Sequence, residues 1–166
     1  MTDAAGEPVS VSRRIAAGSA VVFAVIADPT RHPDIDGSGM LLRAVWRPPI
    51  SRVGDTFTML MRNDEMGYYE ITNHVVEYVP GARIAWEPSL TNASRAEDAD
   101  DIGTRNQHRW SYELAADDAD GTVVTETYDC TRSPDWLRKA VKDGQRWVAA
   151  MTETLEKLEQ ECDRTS

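Results

Sequence analysis

The stretch PDWLRKAVKDGQRWVAAMTETLEKLEQE, residues 134–161, decides the fold of this chain. Its apolar residues recur at alternating spacings of four and three, which places them on one stripe of an α-helix. The stripe consists of Leu137, Val141, Gly144, Val148, Met151, Leu155 and Leu158. Ser133 suits the N-cap and Pro134 the first helical position. The pattern therefore predicts one uninterrupted amphipathic helix over 134–161, about 42 Å long.

Gly144 lies in the middle of this apolar stripe, where glycine costs about 1 kcal/mol of helix stability relative to alanine. Two explanations fit the sequence. Either a bulky neighbour packs so closely that only glycine leaves room, or the helix lies over a hollow that holds a ligand.

Composition limits the classes of function. A chain of 166 residues is long enough for one domain with its own core. It carries 18 basic and 28 acidic residues, and the net charge of -10 repels nucleic acid and anionic lipid surfaces. No apolar run reaches membrane-spanning length, and residues 1–10 lack the features of a secretion signal. We therefore expect a cytoplasmic protein with no nucleic-acid partner and no stable membrane insertion.

Glycine, proline and asparagine divide the rest of the chain into short elements. Alternation predicts a first strand at 9–15, and two short helices that begin near Gly18 and Asp28 follow it. Further strands are predicted at 41–46, 55–62, 68–79 and 83–86. In 68–79 the alternation does not show which face points inward. The acidic stretch 89–103 has no periodicity, so it is predicted to be a long variable loop, either disordered or a lid.

A β-hairpin gives the clearest local signal. A turn centred near Asp118 pairs even-numbered residues with even-numbered ones across the hairpin, so two apolar faces coincide. The shared face consists of His108, Trp110, Tyr112, Leu114, Val124, Glu126 and Tyr128. An earlier strand presents a similar apolar set, formed by Phe57, Met59 and Met61.

Two polar side chains lie on this aromatic face. Glu126 alternates with Val124 and Tyr128, where a carboxylate must be hydrogen-bonded, paired or protonated. His108 occupies the same face near the start of its strand. Both are candidates for holding the polar end of a ligand or for moving a proton. The alternative for Glu126 is pairing with a nearby arginine or a position at an open sheet edge.

The common catalytic and metal-binding motifs do not occur in the sequence. It has no glycine-rich phosphate loop, paired-cysteine zinc motif, His-Glu-x-x-His helix or Gly-x-Ser-x-Gly elbow. Four residues could hold a cation, but helix capping and a solvated turn also account for them; they are Asp28, His32, Asp34 and Asp36. We predict no metal ion and no cofactor.

Four segments carry a resemblance to a known family: DPTRHP at 28–33, VGDTF at 53–57, VVEYVPGARIAW at 75–86 and GTVVTETY at 121–128. They resemble the bacterial polyketide cyclase/dehydrase branch of the START-like superfamily. The resemblance covers a core of about 9–161 within a single domain, 1–166. It implies an α+β helix-grip fold, in which a curved seven-stranded antiparallel sheet wraps around a long C-terminal helix and two short helices follow the first strand.

The resemblance also implies a cavity between sheet and helix for a small apolar or aromatic molecule. His108 and Glu126 would fix the polar ends of this ligand. The apolar wall would consist of Phe57, Met59, Met61, Trp110, Tyr112, Tyr128, Leu137, Val141, Gly144 and Val148.

Three functions remain open. The first expectation is binding of a hydrophobic ligand. The second is a cyclase or dehydratase without metal or covalent nucleophile, which acts on a carbonyl-containing apolar substrate and moves a proton with Glu126, His108 or a tyrosine. The third is a regulatory interaction module with a vestigial cavity. The sequence does not decide between them, and it leaves open the ligand and the formation of a homodimer.

Overall fold

The computed structural model describes residues 6–46 and 48–165. Short 3-10 segments occur at Pro29–Arg31, Ala96–Asp101 and Lys142–Trp147. The strands and α-helices, in chain order, are β1 (Val9–Ile15), α1 (Ser19–Ile26), α2 (His32–Ile35), β2 (Leu41–Trp46), β3 (Thr56–Asn63), β4 (Gly67–Val79), β5 (Arg83–Ala93), β6 (Arg109–Ala116), β7 (Thr122–Asp129), α3 (Asp135–Ala140) and α4 (Val148–Thr165).

The strands of the described chain form one seven-stranded antiparallel sheet in the order β1-β7-β6-β5-β4-β3-β2. Strands β2 to β6 each pair with the next strand along the chain, as short connections require. The first strand pairs with the last one. The helix α4 packs against α1, α2 and β1. The predicted α+β helix-grip arrangement is therefore confirmed, including the two short helices after β1.

The pairing of β6 with β7 sets even-numbered residues opposite even-numbered ones, as predicted. Trp110 pairs with Tyr128, and Tyr112 pairs with Glu126. Even-numbered side chains of both strands consequently share the face that points toward the helices, and Tyr112, Glu126 and Tyr128 are buried there. The alternation in the sequence was sufficient here because neither strand contains a bulge.

Strand β4 changes its inward face at a bulge. Ahead of the bulge the odd-numbered residues face inward, as the burial of Tyr69, Asn73 and Val75 shows. The pairing with β5 shifts between Val75 and Glu77. Beyond the shift the even-numbered Tyr78 faces inward and contacts Phe23, with ring centroids 5.6 Å apart. One extra residue reverses the alternation, so both faces of the stretch look partly apolar in the sequence.

The C-terminal helix is interrupted, so the prediction of one continuous helix over 134–161 is wrong. Helix α3 ends at Ala140, and α4 begins only at Val148 and runs for 18 residues to Thr165. Between them, Lys142, Asp143 and Gly144 have φ angles of 53°, 51° and 92°. A right-handed helix cannot contain such residues, so the chain changes direction there. The predicted long C-terminal helix itself is confirmed as α4.

Close packing explains Gly144. A Cβ atom at this position would lie 2.9 Å from Cγ2 of Val9 and 3.1 Å from Cδ1 of Tyr128, both too short for an ordinary contact. The φ of 92° independently favours glycine. The first of the two explanations offered by the sequence therefore applies, and Gly144 does not border a hollow.

The stretch 89–103 is not a long loop, so the prediction of a long variable loop there is wrong. Strand β5 continues through Ala93, and Ala96–Asp101 forms a 3-10 helix. Two hydrogen bonds of 2.8 Å from the Arg95 guanidinium to the Asp98 carboxylate hold this helix. The backbone N–H of Gly103 donates to the Leu90 carbonyl over 2.7 Å. Ion pairs and backbone bonds order the stretch, and neither leaves a periodic apolar pattern in the sequence.

Two adjoining apolar clusters fill the space between sheet and helices. The larger cluster contains buried residues of α1, the inward faces of the strands, and Leu155 and Leu158 of α4. The smaller cluster surrounds Tyr128 and includes Val9, Val141 and Met151. Within 6–46 and 48–165, no helix combines the length and the apolar composition needed to cross a membrane.

Candidate functional site

A cavity of about 230 Å³ lies between the inward face of the sheet and α4. Strands β3 to β7 supply one wall, which includes Phe57, Met59, Asn73, Trp86, Tyr112 and Glu126. The opposite side is formed by the helices and the segment after α2, including His32, Ile35, Asp36, Trp147, Ala150 and Met151. Most of this lining is apolar or aromatic, which is typical of pockets for small organic molecules.

The structure brings half of the predicted ligand-binding residues to the cavity and leaves the other half outside its wall. The lining includes Phe57, Met59, Met61, Trp110, Tyr112 and Glu126. The remaining residues are His108, Tyr128, Leu137, Val141, Gly144 and Val148, and the wall does not include them. Tyr128, Leu137, Val141 and Val148 belong instead to the smaller apolar cluster. The break before α4 separates the first half of the apolar stripe from the cavity.

His108 contacts Tyr128 rather than the cavity. Its Nδ1 atom lies 2.8 Å from the Tyr128 hydroxyl, and the two rings meet edge to face. Burial lowers the pKa of His108 to about 4, so the imidazole is neutral at pH 7. The hydroxyl of Tyr128 thereby has a partner inside the smaller cluster. This contact gives His108 a packing role and separates it from Glu126.

Glu126 is a buried polar residue in the cavity wall. Its side chain is buried, with 3% of the residue exposed. The Tyr112 hydroxyl donates a hydrogen bond to Oε1 over 3.0 Å, whereas Oε2 has no partner among the described residues. Neither alternative from the sequence applies, because no arginine pairs with Glu126 in the described chain and the residue is not at an open sheet edge.

The environment of Glu126 favours its neutral form. Burial raises the pKa of the carboxyl group to about 8, while the hydrogen bond from Tyr112 acts in the opposite direction. The Asp36 carboxylate adds to the rise by repulsion. At neutral pH most molecules consequently carry a proton on Glu126. Because Oε1 accepts from Tyr112, a hydroxyl at Oε2 has no acceptor among the described residues.

His32 lines the cavity, although the sequence indicated only a weak cation site. Its Nε2 atom donates to the Ile26 carbonyl over 2.7 Å, and its ring stacks on Trp86 at 5.3 Å. Burial lowers the pKa of His32. The apolar Ile35, three residues later and also buried, is the signal that could have identified an inward-facing histidine.

Two further members of the suggested cation group, Asp28 and Asp36, have separate partners. One carboxylate oxygen of Asp28 accepts from the backbone N–H of Thr30 over 3.0 Å and caps the 3-10 segment. Asp36 accepts from the backbone N–H groups of Ser38 and Leu41, at 2.9 Å and 3.1 Å. Capping and turn formation therefore account for both residues, and among the described residues no group of three metal-binding side chains comes together.

Asn73 is the second polar residue that the sequence analysis missed. Its side chain lies in the cavity wall with 7% of the residue exposed. The amide makes no hydrogen bond to another described residue. The bulge in β4 concealed this position, because an alternation that reverses within the strand gives no inward face. The side chains of the cavity wall that lack a full set of partners among the described residues include Glu126, Asn73 and the indole of Trp147.

Comparisons with known proteins agree with this architecture. The protein NE0264 from Nitrosomonas europaea superposes with a TM-score of 0.69 at 13% identity, and the match covers 95% of each chain. The protein DynU16, described as a putative protein in the dynemicin biosynthetic locus, gives a TM-score of 0.58 at 17% identity over 94% of this chain and 48% of that one. Identities this low show a shared fold alone.

Sequence comparison identifies the family. "Uncharacterized protein Rv0088" from Mycobacterium tuberculosis is 32% identical over 129 residues, which are 78% of this chain. The chain spans about half the length of the curated relatives it matches, 50% in each case. Residues 8–163 match the family described as "Polyketide cyclase / dehydrase and lipid transport". With nearly its whole length matched, the chain belongs to this polyketide cyclase/dehydrase and lipid transport family.

Proposed function

We propose that the protein binds a small apolar or aromatic molecule in the cavity between the sheet and α4, with Glu126 as the polar anchor. One observation carries the proposal: a buried carboxyl group in the wall of an apolar cavity has an oxygen without a partner among the described residues. Leaving such a group unsatisfied costs about 1 to 3 kcal/mol. A ligand that accepts a hydrogen bond from Oε2 offsets this cost, and the aromatic wall removes its apolar surface from water.

The size of the cavity supports binding over the regulatory alternative. A vestigial cavity would be filled by the side chains around it, whereas about 230 Å³ here is free of protein atoms. The words "lipid transport" in the family description agree with a hydrophobic ligand.

A cavity-filling substitution tests the proposal. Ala150 lines the cavity, whereas its neighbour Ala149 is exposed on the other side of α4. We expect Ala150→Leu to weaken the binding of a neutral naphthyl ketone at least about tenfold, because the added side chain occupies the ligand's space. Fluorescence titration measures the affinity. The matched control, Ala149→Leu, should bind like the wild type. If the two variants bound the ketone with equal affinity, the binding site would lie elsewhere. If the wild type did not bind the ketone, the proposal would be refuted.

Enzymatic proton transfer is the second candidate, favoured by the pKa of Glu126. A carboxyl group with a pKa of about 8 can both donate and accept a proton near neutrality. In a cyclase or dehydratase, Glu126→Gln should leave binding intact and lower turnover of the substrate by about 10²-fold. In a binding protein it should change affinity alone, by about 1 to 3 kcal/mol.

We favour binding because no second acid or base among the described residues, apart from the Tyr112 hydroxyl, makes a hydrogen bond to Glu126. The group in hydrogen-bond contact is the Tyr112 hydroxyl, and burial keeps the pKa of Tyr112 well above its ordinary value. Tyr112 thus holds its proton and positions Glu126. A measured loss of turnover in Glu126→Gln, with unchanged affinity, would reverse this preference.

A further inference from the structure

The charges around the cavity restrict what it can accept. The titratable side chains in its wall are His32, Asp36, Tyr69, Tyr112 and Glu126. Neither lysine nor arginine contributes to the wall from the part of the chain that the structure describes. The one group there that could become a cation near neutrality, His32, is buried, uses Nε2 to bind the Ile26 carbonyl and has a lowered pKa. The wall therefore offers no positive charge to an anion.

A carboxylate ligand would be disfavoured for two reasons. It would leave water for an apolar site without a cation to pair with, which costs far more than the transfer of a neutral group. It would also meet the Asp36 carboxylate, whose oxygens are already occupied by Ser38 and Leu41. An uncharged ligand avoids both penalties.

Two polar groups of the wall, Glu126 and Asn73, stand far apart on the sheet. Glu126 belongs to β7 and Asn73 to β4, with β6 and β5 between them. Three strand spacings correspond to about 14 Å across the sheet. The register adds an offset along the strands. Glu126 pairs with Tyr112, and Tyr112 pairs with Ile84 of β5. Asn73 pairs with Pro88, which lies further along β5. One ligand atom cannot reach both side chains.

We propose, building on the ligand binding proposed above, that the cavity selects uncharged, elongated molecules with a hydrogen-bonding group at each end and rejects carboxylates. Glu126, with Tyr112 behind it, donates from Oε2 to an acceptor such as a ketone oxygen at one end. The Asn73 amide, which can donate and accept, binds a hydroxyl or a second carbonyl at the other end. The aromatic side chains of β5 and β6 between them, which include Trp86 and Trp110, cover the apolar middle of the molecule.

Three naphthalenes of nearly equal shape test this selectivity by calorimetry at pH 7. The first, 6-propionyl-2-hydroxynaphthalene, carries a polar group at each end. The second, 2-propionylnaphthalene, lacks the hydroxyl, and the third, 6-hydroxy-2-naphthoate, replaces the ketone by a carboxylate. We expect the hydroxy ketone to bind about tenfold tighter than the plain ketone, and at least about tenfold tighter than the carboxylate.

The variant Asn73→Leu tests whether the Asn73 amide binds the hydroxyl end of the ligand. This variant should bind both ketones equally, since the apolar side chain keeps the volume of the amide but offers no hydrogen bond. The exposed Asn92 of β5 provides the control, and Asn92→Leu should keep the tenfold preference for the hydroxy ketone. Unchanged affinity for the plain ketone shows that the cavity of the variant is intact.

Each contradictory binding result would overturn a different part of the proposal. A carboxylate that binds the wild type as tightly as the hydroxy ketone would overturn the selection against anions. Equal binding of the two ketones by the wild type, or a preference for the hydroxyl that survives in Asn73→Leu, would overturn the two-ended arrangement. If none of the three naphthalenes binds, the proposed function itself is refuted, and this inference with it.

Discussion

Glu126 decides the chemistry of the cavity at the scale of single residues. A carboxyl group normally stays ionised at neutral pH because water solvates its charge. Here the water is replaced by aromatic side chains and one hydroxyl, so the neutral form is favoured. The same burial that makes Glu126 a hydrogen-bond donor to a ligand also makes the folded state sensitive to pH.

The stability of the fold should fall as pH rises because of Glu126. Its pKa is about 8 in the folded protein and 4.5 when solvated, so the folded state binds the proton more tightly. This contribution is fully present below pH 4.5 and is lost as pH rises through 8. Between pH 5 and pH 8 we expect the wild type to lose about 3 kcal/mol of unfolding free energy relative to Glu126→Gln.

Urea unfolding of both proteins at several pH values measures this difference. Subtracting the variant removes the contributions of all other titrating groups, including His32 and His108, whose pKa values are lowered. A difference between the two proteins that stays constant from pH 5 to pH 8 would show that Glu126 is ionised throughout, and would remove its role as a donor.

The break between α3 and α4 matters most at the scale of secondary structure elements. It directs α3 toward the cluster around Tyr128, so that Trp147 and α4 are the parts of the C-terminal region that line the cavity. Gly144 permits this turn by its positive φ and by its lack of a side chain beside Val9 and Tyr128.

Gly144→Ala should therefore destabilise the protein without closing the cavity. We expect a loss of about 2 to 4 kcal/mol, combining backbone strain with overpacking. Gly39→Ala is the matched control, since Gly39 also has a positive φ but no atom near its missing Cβ, and should lose about 1 kcal/mol. Thermal unfolding gives both values. A Gly144→Ala protein as stable as Gly39→Ala would argue against close packing, and a large loss of naphthyl ketone affinity would place Gly144 in the binding site.

The sequence predicts an element well where the chain follows one period throughout. The hairpin of β6 and β7 keeps strict alternation, and its register and buried face were predicted correctly. In β4 the bulge after Val75 reverses the alternation, so the inward position of Asn73 could not be predicted. The apolar stripe of 134–161 continues across Lys142–Trp147 by coincidence of spacing, although the positive φ angles of Lys142, Asp143 and Gly144 break the helix there.

At the scale of the whole molecule, the candidate site depends on contacts between distant elements. Phe57, Met59 and Met61 were predicted because each strand shows its own inward face. By contrast, His32 enters the cavity through the turn after α1, and Asn73 lies on the inward face that β4 has only ahead of its bulge. Such features depend on how the elements pack together, and a periodic pattern in one segment cannot report them.

The central claim is that a small apolar molecule binds between sheet and helix, and NMR of methionine methyl groups tests it most directly. Met40, Met59, Met61 and Met151 line the cavity, whereas Met66 lies outside it in the connection between β3 and β4. On titration with 2-propionylnaphthalene we predict ring-current shifts at the four cavity methionines and none at Met66. Shifts confined to Met66, or unshifted cavity methionines at saturating ketone, would contradict the account.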